Sequence, residues 1–402
     1  MMDKSDLNKK VIAFYILVAL YSCFFATGNW YFLWKLYLNN NGIGFVDGIS
    51  FGIAFLLQIP SGAVADIFGR KKTIGFAAIL MGIGYAITGY ALSGAMILGG
   101  YIVYSIGSSF YTGADEALMY DYLKKNGKEE LWKKIVANKY IISRIAALGA
   151  TLVGGWLFTF SIRLPSIIRG ISFLLMLLPL FILPENFGRL TEDKITVKEY
   201  FNKIRDGMKQ LAKPALLKVV PLIAVVGGIL TTMYVSGILR PLLLAHAGFG
   251  GDIQSYIIGI AGIITLALLL LYKHSSKNIP DHLFMWAIGF ITVFFFSMLG
   301  ILPTSSWLVF LVGIQVLQGL YIPISSNIVN REISSTHRAT ALSSLALIQS
   351  LPYIVLAPAI GFFADKNQYD LIIIGIVGII SIGIFLSIML YFRFKNSPII
   401  VE

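Results

Sequence analysis

Apolar residues in this chain neither alternate nor recur at every third or fourth position. They come in long unbroken runs, separated by short polar turns that carry most of the charge. An α-helix needs roughly 20 consecutive apolar residues to cross a bilayer. By that rule the pattern predicts twelve spans, at about residues 11–38, 43–66, 73–92, 96–122, 135–160, 165–184, 216–245, 253–272, 282–301, 306–331, 338–363 and 370–392. The longest polar stretch divides six spans from six. Inside it, Val197, Tyr200, Phe201, Ile204, Met208 and Leu211 keep helical spacing, which predicts an amphipathic helix on the membrane surface.

Composition agrees with a membrane solvent. The 402 residues are 57% hydrophobic and 13% charged, against about 25% charged in a soluble domain. The formal net charge of +12 would suggest nucleic acid in a soluble protein. Here the basic residues sit in alternate turns, so they read as topology signals, with no nucleic-acid partner. Placing the N-terminus inside puts most of the 32 Lys and Arg residues on the cytoplasmic side. The exceptions are Lys35, Arg144, Arg163, Arg169, Arg240 and Lys366. The expectation is a multi-pass protein of the cell membrane, acting as a monomer, with both termini cytoplasmic. The opening "MMDKSDLNKKVIAFYILVALYSCFFATG" has the charge pattern of a signal peptide, but its apolar run is too long for one and reads as the first span. One cysteine, Cys23, permits neither a disulfide nor a thiolate metal site within the chain.

The two sets of six spans are weakly alike. "YLNNNGIGF" follows the first span as "LLAHAGFGG" follows the seventh, and "ALGATLVGGWLF" in the fifth answers "IVLAPAIGFFA" in the eleventh. Duplicated six-helix halves characterise one large transporter architecture, with its site near mid-membrane. The fold class expected is therefore all-α integral membrane, twelve transmembrane helices in two six-helix pseudo-symmetric halves. The halves are residues 1–184 and 216–402, joined by a cytoplasmic central loop, residues 185–215.

Between the second and third spans stands "SGAVADIFGRKKTIGF". It resembles the signature G-x-x-x-D-x-x-G-R-[KR] of the major facilitator superfamily, at that family's usual place, with Gly62, Asp66, Gly69, Arg70 and Lys71 matching. "LPEN" at the end of the sixth span resembles a second signature. The resemblance implies a transporter, drug/proton antiporter-like, with these five residues forming a cytoplasmic gate. Gly69 gives the tight turn, and Asp66 is expected to receive charge-assisted hydrogen bonds from Arg70 or from the other half. The antiporter pattern is kept only in part. The fifth span has Gly149, Gly154 and Gly155 without the family's proline, and Ser109 stands where proton-coupled members often have arginine.

The fourth span holds two adjacent acids, Asp115 and Glu116, in "YTGADEALMYDYL". Charge inside a bilayer costs about 2.5–3.5 kcal/mol per residue at a helix centre and commonly marks a coupling site. Counted from the inner helix ends, Arg144 of the fifth span lies at the same depth, so it is expected to pair with one acid and leave the other as a proton carrier. The alternative is that both acids only tie the fourth and fifth spans together. Asn29, Trp30, Tyr31, Trp34, Gln58, Tyr104, Tyr111, Tyr234, Gln315, Gln318, Tyr321, Asn327, Gln349 and Tyr353 are candidates to line a substrate cavity, or else to pack helices. Lys35 and Arg240 are expected to snorkel to the outer interface. Pro323, Pro352 and Pro358 mark expected breaks or kinks in spans ten and eleven.

An aromatic, amide-dotted cavity with embedded acids suits a proton-coupled exporter of small amphipathic or cationic organic molecules. Uptake of a small metabolite uses the same residues and is the alternative. A membrane enzyme would need a catalytic cluster, but His246, His274, His282 and His337 have no metal-ligand spacing and no Gly-rich nucleotide loop is present. No metal and no cofactor is expected. A receptor or scaffold that kept the architecture would have little use for the embedded charges.

Overall fold

The computed structural model describes residues 4–184, 197–275, 281–333 and 335–394, and at a few helix positions the backbone alone. Among the described residues every regular element is helical. The helices are α1 (Lys4–Tyr21), α2 (Trp30–Lys35), α3 (Asn40–Phe68), α4 (Arg70–Gly89), α5 (Gly94–Tyr111), α6 (Ala114–Lys125) and α7 (Trp132–Phe160). There follow α8 (Leu164–Leu175), α9 (Leu177–Ile182), α10 (Val197–Leu211), α11 (Pro214–Leu217), α12 (Val220–Gly227) and α13 (Leu239–His246). The last are α14 (Gly251–Ser275), α15 (Asp281–Ile301), α16 (Trp307–Glu332), α17 (Ser335–Asp365) and α18 (Tyr369–Arg393).

Among the described residues, 9 helical stretches are long and apolar enough to cross a membrane, or 10 if the bent pair around Gly237 is one span. The sequence predicts twelve because it does not show where a span is interrupted. The first predicted span stops at Tyr21 and resumes at Trp30, and the fourth stops at Tyr111 and resumes at Ala114. The seventh widens into a π-helix, Gly228–Ser236, and then turns by 65° into α13. The expected breaks at proline do not occur. Pro323 lies inside α16, and Pro352 and Pro358 lie inside α17, because one lost ladder bond kinks a long helix without ending it.

The chain packs into two compact units, neither of them a contiguous half of the sequence. Unit 1 is Met1–Leu38, Ile49–Ile195 and Gly251–Gly259. Its core joins Phe14 and Leu17 of α1, Ile74 and Met81 of α4, Leu118 and Met119 of α6, and Phe173 of α8, all buried. Small residues bring α4 and α5 into backbone contact: a Cβ on Gly84 would lie 2.6 Å from the Gly100 carbonyl oxygen, an approach that larger residues forbid.

Unit 2 is Asn39–Gly48, Thr196–Gly250 and Ile260–Glu402. Here the start of α3 lies along α17, where a Cβ on Gly44 would come 2.1 Å from the Ala357 carbonyl oxygen. The Asp365 carboxylate at the end of α17 accepts from the backbone N–H groups of Asn40 and Asn41, each at 2.9 Å. It thereby satisfies two donors that a helix start leaves open. The amphipathic helix of the central loop forms as α10. It packs on α17, with the Gly207 position 2.2 Å from Ser344 Oγ if a Cβ is added.

Candidate functional site

The two embedded acids of the fourth span owe their position to the break before them. Thr112 takes an extended conformation (φ −60°, ψ 118°) and Gly113 a left-handed one (φ 83°), which ends α5 and starts α6. Glycine alone enters that region without strain. Asp115 and Glu116 therefore lie in the first turn of a new helix, where free N–H groups and the helix dipole favour negative charge. Lys139 of α7 reaches both: its Nζ is 2.6 Å from Asp115 Oδ2 and 2.8 Å from Glu116 Oε1. Tyr111 Oη donates to Asp115 Oδ2 at 3.4 Å. The Asp115 side chain is 5% exposed and that of Glu116 40%. Two carboxylates thus share one ammonium.

The expected pairing with Arg144 is replaced by this one. Two physical reasons account for it. The helix α7 starts at Trp132, so Lys139 is about 10 Å and Arg144 about 18 Å from its inner end at 1.5 Å per residue. Five residues also turn the helix by about 140° at 100° each, and Arg144 is exposed on another face. Among the described residues it enters no ion pair. In the sequence Lys139 is one of several basic residues near the turn, and nothing there distinguishes it from the topogenic ones.

Above the acids runs a column of aromatic rings. Trp34 meets Tyr101 at 4.6 Å between centroids, Tyr101 stacks on Tyr104 at 5.3 Å, and Tyr104 meets Phe173 at 5.9 Å. Phe173 meets Tyr21 at 6.1 Å, and Tyr21 stacks on Tyr111 at 3.9 Å, next to Asp115. Trp30 lies edge-on to Trp34 and Tyr31. Buried Arg169 of α8 stands beside the column, its guanidinium 3.9 Å from the Phe173 ring and 4.6 Å from that of Phe24. Arg169 Nη1 donates to the Leu20 carbonyl at 3.4 Å and to the Cys23 carbonyl at 2.9 Å. Those carbonyls lie where the first span breaks, and each also accepts a backbone N–H, from Cys23 and Phe25 respectively, so Arg169 adds a second donor to a turn outside the regular helical ladder. Asn29, 1% exposed, ties the first span to the fifth, donating to the Gly154 carbonyl of α7 at 3.1 Å.

In unit 2 several cavity candidates hold the seventh span. Tyr321 Oη donates to the Ile223 carbonyl at 2.8 Å, and Gln349 Nε2 donates to Tyr321 Oη at 2.6 Å. Tyr234 Oη donates to the Leu311 carbonyl at 2.6 Å. Arg240, expected at the interface, is buried at 2% exposure and donates to Gln315 Oε1 at 3.0 Å. It follows the bend after Gly237 into the interior, which the sequence does not show. Gln318 is buried and Asn327 exposed. Tyr353 hydrogen-bonds Asp47 Oδ2, and its own oxygen accepts from the Ile238 N–H at 2.6 Å. Asp47 stands alone within an apolar run, and nothing in its sequence neighbourhood points to Tyr353 as its partner.

At the signature turn, Gly69 has φ 91° and caps α4. Arg70 Nη1 lies 2.6 Å from Asp121 Oδ2 at the inner end of α6, and Lys71 Nζ donates to the Leu183 carbonyl at 3.0 Å. The side chains of Gln58 and Asp66, and the surroundings of Gly62, lie outside the described residues. Unit 2 repeats the ion pair with its signs exchanged: Asp281 opens α15 and pairs with Arg331 at the end of α16 at 3.1 Å. Among the described residues no cluster of three or more His, Cys, Asp or Glu side chains could hold a metal.

Residues 11–355 match the family model described as Major Facilitator Superfamily. An uncharacterized MFS-type transporter of Bacillus subtilis (strain 168), YxaM, is 22% identical over 329 residues, covering 77% of this chain and 79% of its own. Among solved structures, the nucleoside transporter NupG aligns with a TM-score of 0.73 at 15% identity, covering 97% of this chain and 99% of that one. The POT family transporter PepTSo aligns with 0.72 at 11% identity, covering 99% and 100%.

Proposed function

The chain belongs to the Major Facilitator Superfamily, and on that premise we propose that this membrane transporter is a proton-coupled exporter of small amphipathic or cationic organic molecules, working by alternating access. The proposal takes the interrupted first, fourth and seventh stretches as spans. That gives twelve helices in two six-helix halves, residues 1–184 and 216–402, with the loop 185–215 and both termini in the cytoplasm. It places the protein in the cell membrane as a monomer.

One observation carries the reading: two carboxylates share a single ammonium at the break between α5 and α6. The cluster holds one negative charge more than it balances. A proton, or the positive charge of a cargo, is what completes it, and competition between the two is the basis of antiport. The neighbouring rings offer their π faces to a cation or a flat molecule. Lys139 holds the pair in place. Tyr111 bridges the rings and the acid. The turn with Gly62, Asp66, Gly69, Arg70 and Lys71 acts as the inner gate.

The test is transport into proteoliposomes under an imposed pH gradient, with a lipophilic cation as cargo. The wild-type chain drives accumulation; Asp115→Asn and Glu116→Gln each uncouple it. Full pH-driven transport in both variants refutes the role of the acids. A nucleoside is the alternative cargo, since NupG is by name a nucleoside transporter and a base would stack on the same rings. Uptake of labelled nucleoside with no movement of the cation would favour that reading.

A further inference from the structure

Asp47 is fully buried in unit 2, in the part of α3 that lies on α17. One of its oxygens, Oδ2, accepts from Tyr353. The other, Oδ1, is buried without a hydrogen-bond partner among the described residues. Tyr353 is itself fully buried, and its oxygen also takes the N–H of Ile238. That N–H is the first after Gly237, where the seventh span turns by 65°. One hydroxyl therefore ties three elements together: the start of α3, the middle of α17 and the bend before α13.

The remaining charged and titratable groups on these elements are committed elsewhere or lie at their ends. Asp365 of α17 caps the backbone of Asn40 and Asn41. Arg240 of α13 turns to Gln315, and Tyr234 of the π-helix to the Leu311 carbonyl. On α3 itself, no charged residue lies between Asp47 and Asp66. A buried carboxylate without a cation is strongly disfavoured, and the group neutralises instead.

Little fits beside it. A Cβ on Gly237 would lie 2.1 Å from Tyr353 Oη, and one on Gly48 would lie 2.7 Å from the Ile354 carbonyl oxygen. A metal ion needs several oxygen ligands and the room to reach them. A proton needs one lone pair.

We infer that Asp47, Tyr353 and the Ile238 N–H form a proton-operated latch: the closed arrangement seen here holds Asp47 as the neutral acid, and its release into water ionises it. This rests on the transport reading, in which the arrangement opens during the cycle. It places a second proton step on a residue other than the acids of α6. The direction follows from burial. Closing takes up a proton, so low pH favours the latched form and high pH the released one. Because α3 runs on from unit 2 into unit 1 at Ile49, a change at Asp47 bears on both units.

Nitroxide pairs report the latch directly, without substrate. Phe45→Cys and Lys366→Cys place labels on two exposed positions of α3 and the α17 end, in a Cys23→Ser background, with the full chain in nanodiscs. Pulsed dipolar spectroscopy then reads the distance as pH is raised from about 5 to about 9. The ratio of long to short distances rises up to about tenfold per pH unit, the slope of a one-proton linkage. Asp47→Asn, neutral at every pH, stays short throughout. Tyr353→Phe removes the hydroxyl that holds the three elements and shifts the pair toward the long distance at every pH, whereas Asp365→Asn leaves both Asp47 and Tyr353 in place and keeps the pH response. Should Asp47→Asn not fold, Asp47→Ser removes the same titration. A response in Asp47→Asn equal to the wild type, or none in the wild type, overturns the latch. Absence of transport in liposomes alongside an intact distance response would instead overturn the transport reading.

Discussion

Replacing Lys139 by methionine keeps most of the side chain's length and removes its charge. It leaves Asp115, with a side chain 5% exposed, facing protein without its ammonium. The least costly response is to take a proton. At neutral pH that costs about 1.36 kcal/mol for each unit between about pH 7 and an ordinary carboxyl value of about 3.9, or about 4 kcal/mol. The expected loss is thus about 4 kcal/mol at pH 7, within the range of about 3–5 kcal/mol for breaking a buried pair. At pH 5 the same arithmetic leaves about 1.5 kcal/mol. The sign is fixed: the variant's native state holds a proton that its unfolded state lacks, so its stability falls as pH rises. Equilibrium unfolding in mixed detergent micelles, followed by tryptophan fluorescence, measures the loss. Adding Asp115→Asn recovers about 2–3 kcal/mol in a double-mutant cycle. Adding Glu116→Gln recovers less than about 1 kcal/mol, because that side chain, 40% exposed, already meets water. Additive losses for Lys139→Met and Asp115→Asn, or a loss independent of pH, would refute the reasoning.

Three further outcomes are expected. Gly154→Ala drives a methyl to 1.8 Å from the Phe25 carbonyl oxygen and loses at least about 1–3 kcal/mol; Gly149→Ala, with nothing within 4 Å of the added carbon, is neutral or slightly stabilising in the same titration. Arg169→Met removes the guanidinium's hydrogen bonds to the Leu20 and Cys23 carbonyls, each of which keeps a backbone N–H, at about 1.5–3 kcal/mol per bond from a charged group, and maleimide labelling of Cys23 accelerates as the break loosens. Arg70→Ala loses about 1 kcal/mol or less, since both partners are partly exposed, at 21% and 26%, but it slows transport; exchanging the pair as Arg70→Asp with Asp121→Arg restores the rate.

The legible part of this molecule is what depends on hydropathy and charge sign. Each of the nine stretches overlaps a predicted run, with ends that differ by a few residues, and the helix α10 follows its periodic positions. The acids of the fourth span stand out because charge in an apolar run is costly whatever surrounds it. Breaks are harder to read. Gly113 is one of 39 glycines, and only its positive φ shows that it ends a helix. Partners are harder still. Depth counted from a helix start three residues too late favours Arg144 over Lys139, and the error in phase follows from the error in depth. In unit 2, Tyr321 and Gln349 meet the Ile223 carbonyl of the irregular seventh span and Tyr353 meets its Ile238 N–H, partners that follow only once the span's course is known. Asp47 needed no structure to be noticed, but its isolation from cations did.

The interruptions at Ser22–Asn29, Thr112–Gly113 and Gly237 also decide how the molecule deforms. A continuous helix is a stiff rod that carries a push from one membrane face to the other. A rod cut near its middle becomes a lever with a joint, and its two arms turn separately. Two of these jointed rods belong to unit 1 and one to unit 2, and a slighter break at Met176 divides α8 from α9, while α16, despite Pro323, continues as one helix. The arms joined at Gly113 carry the rings on one side and the acid pair on the other, so rotation there changes the angle between them without unravelling a helical turn. Deuterium exchange should accordingly be fastest at these three joints and slow in the arms beside them.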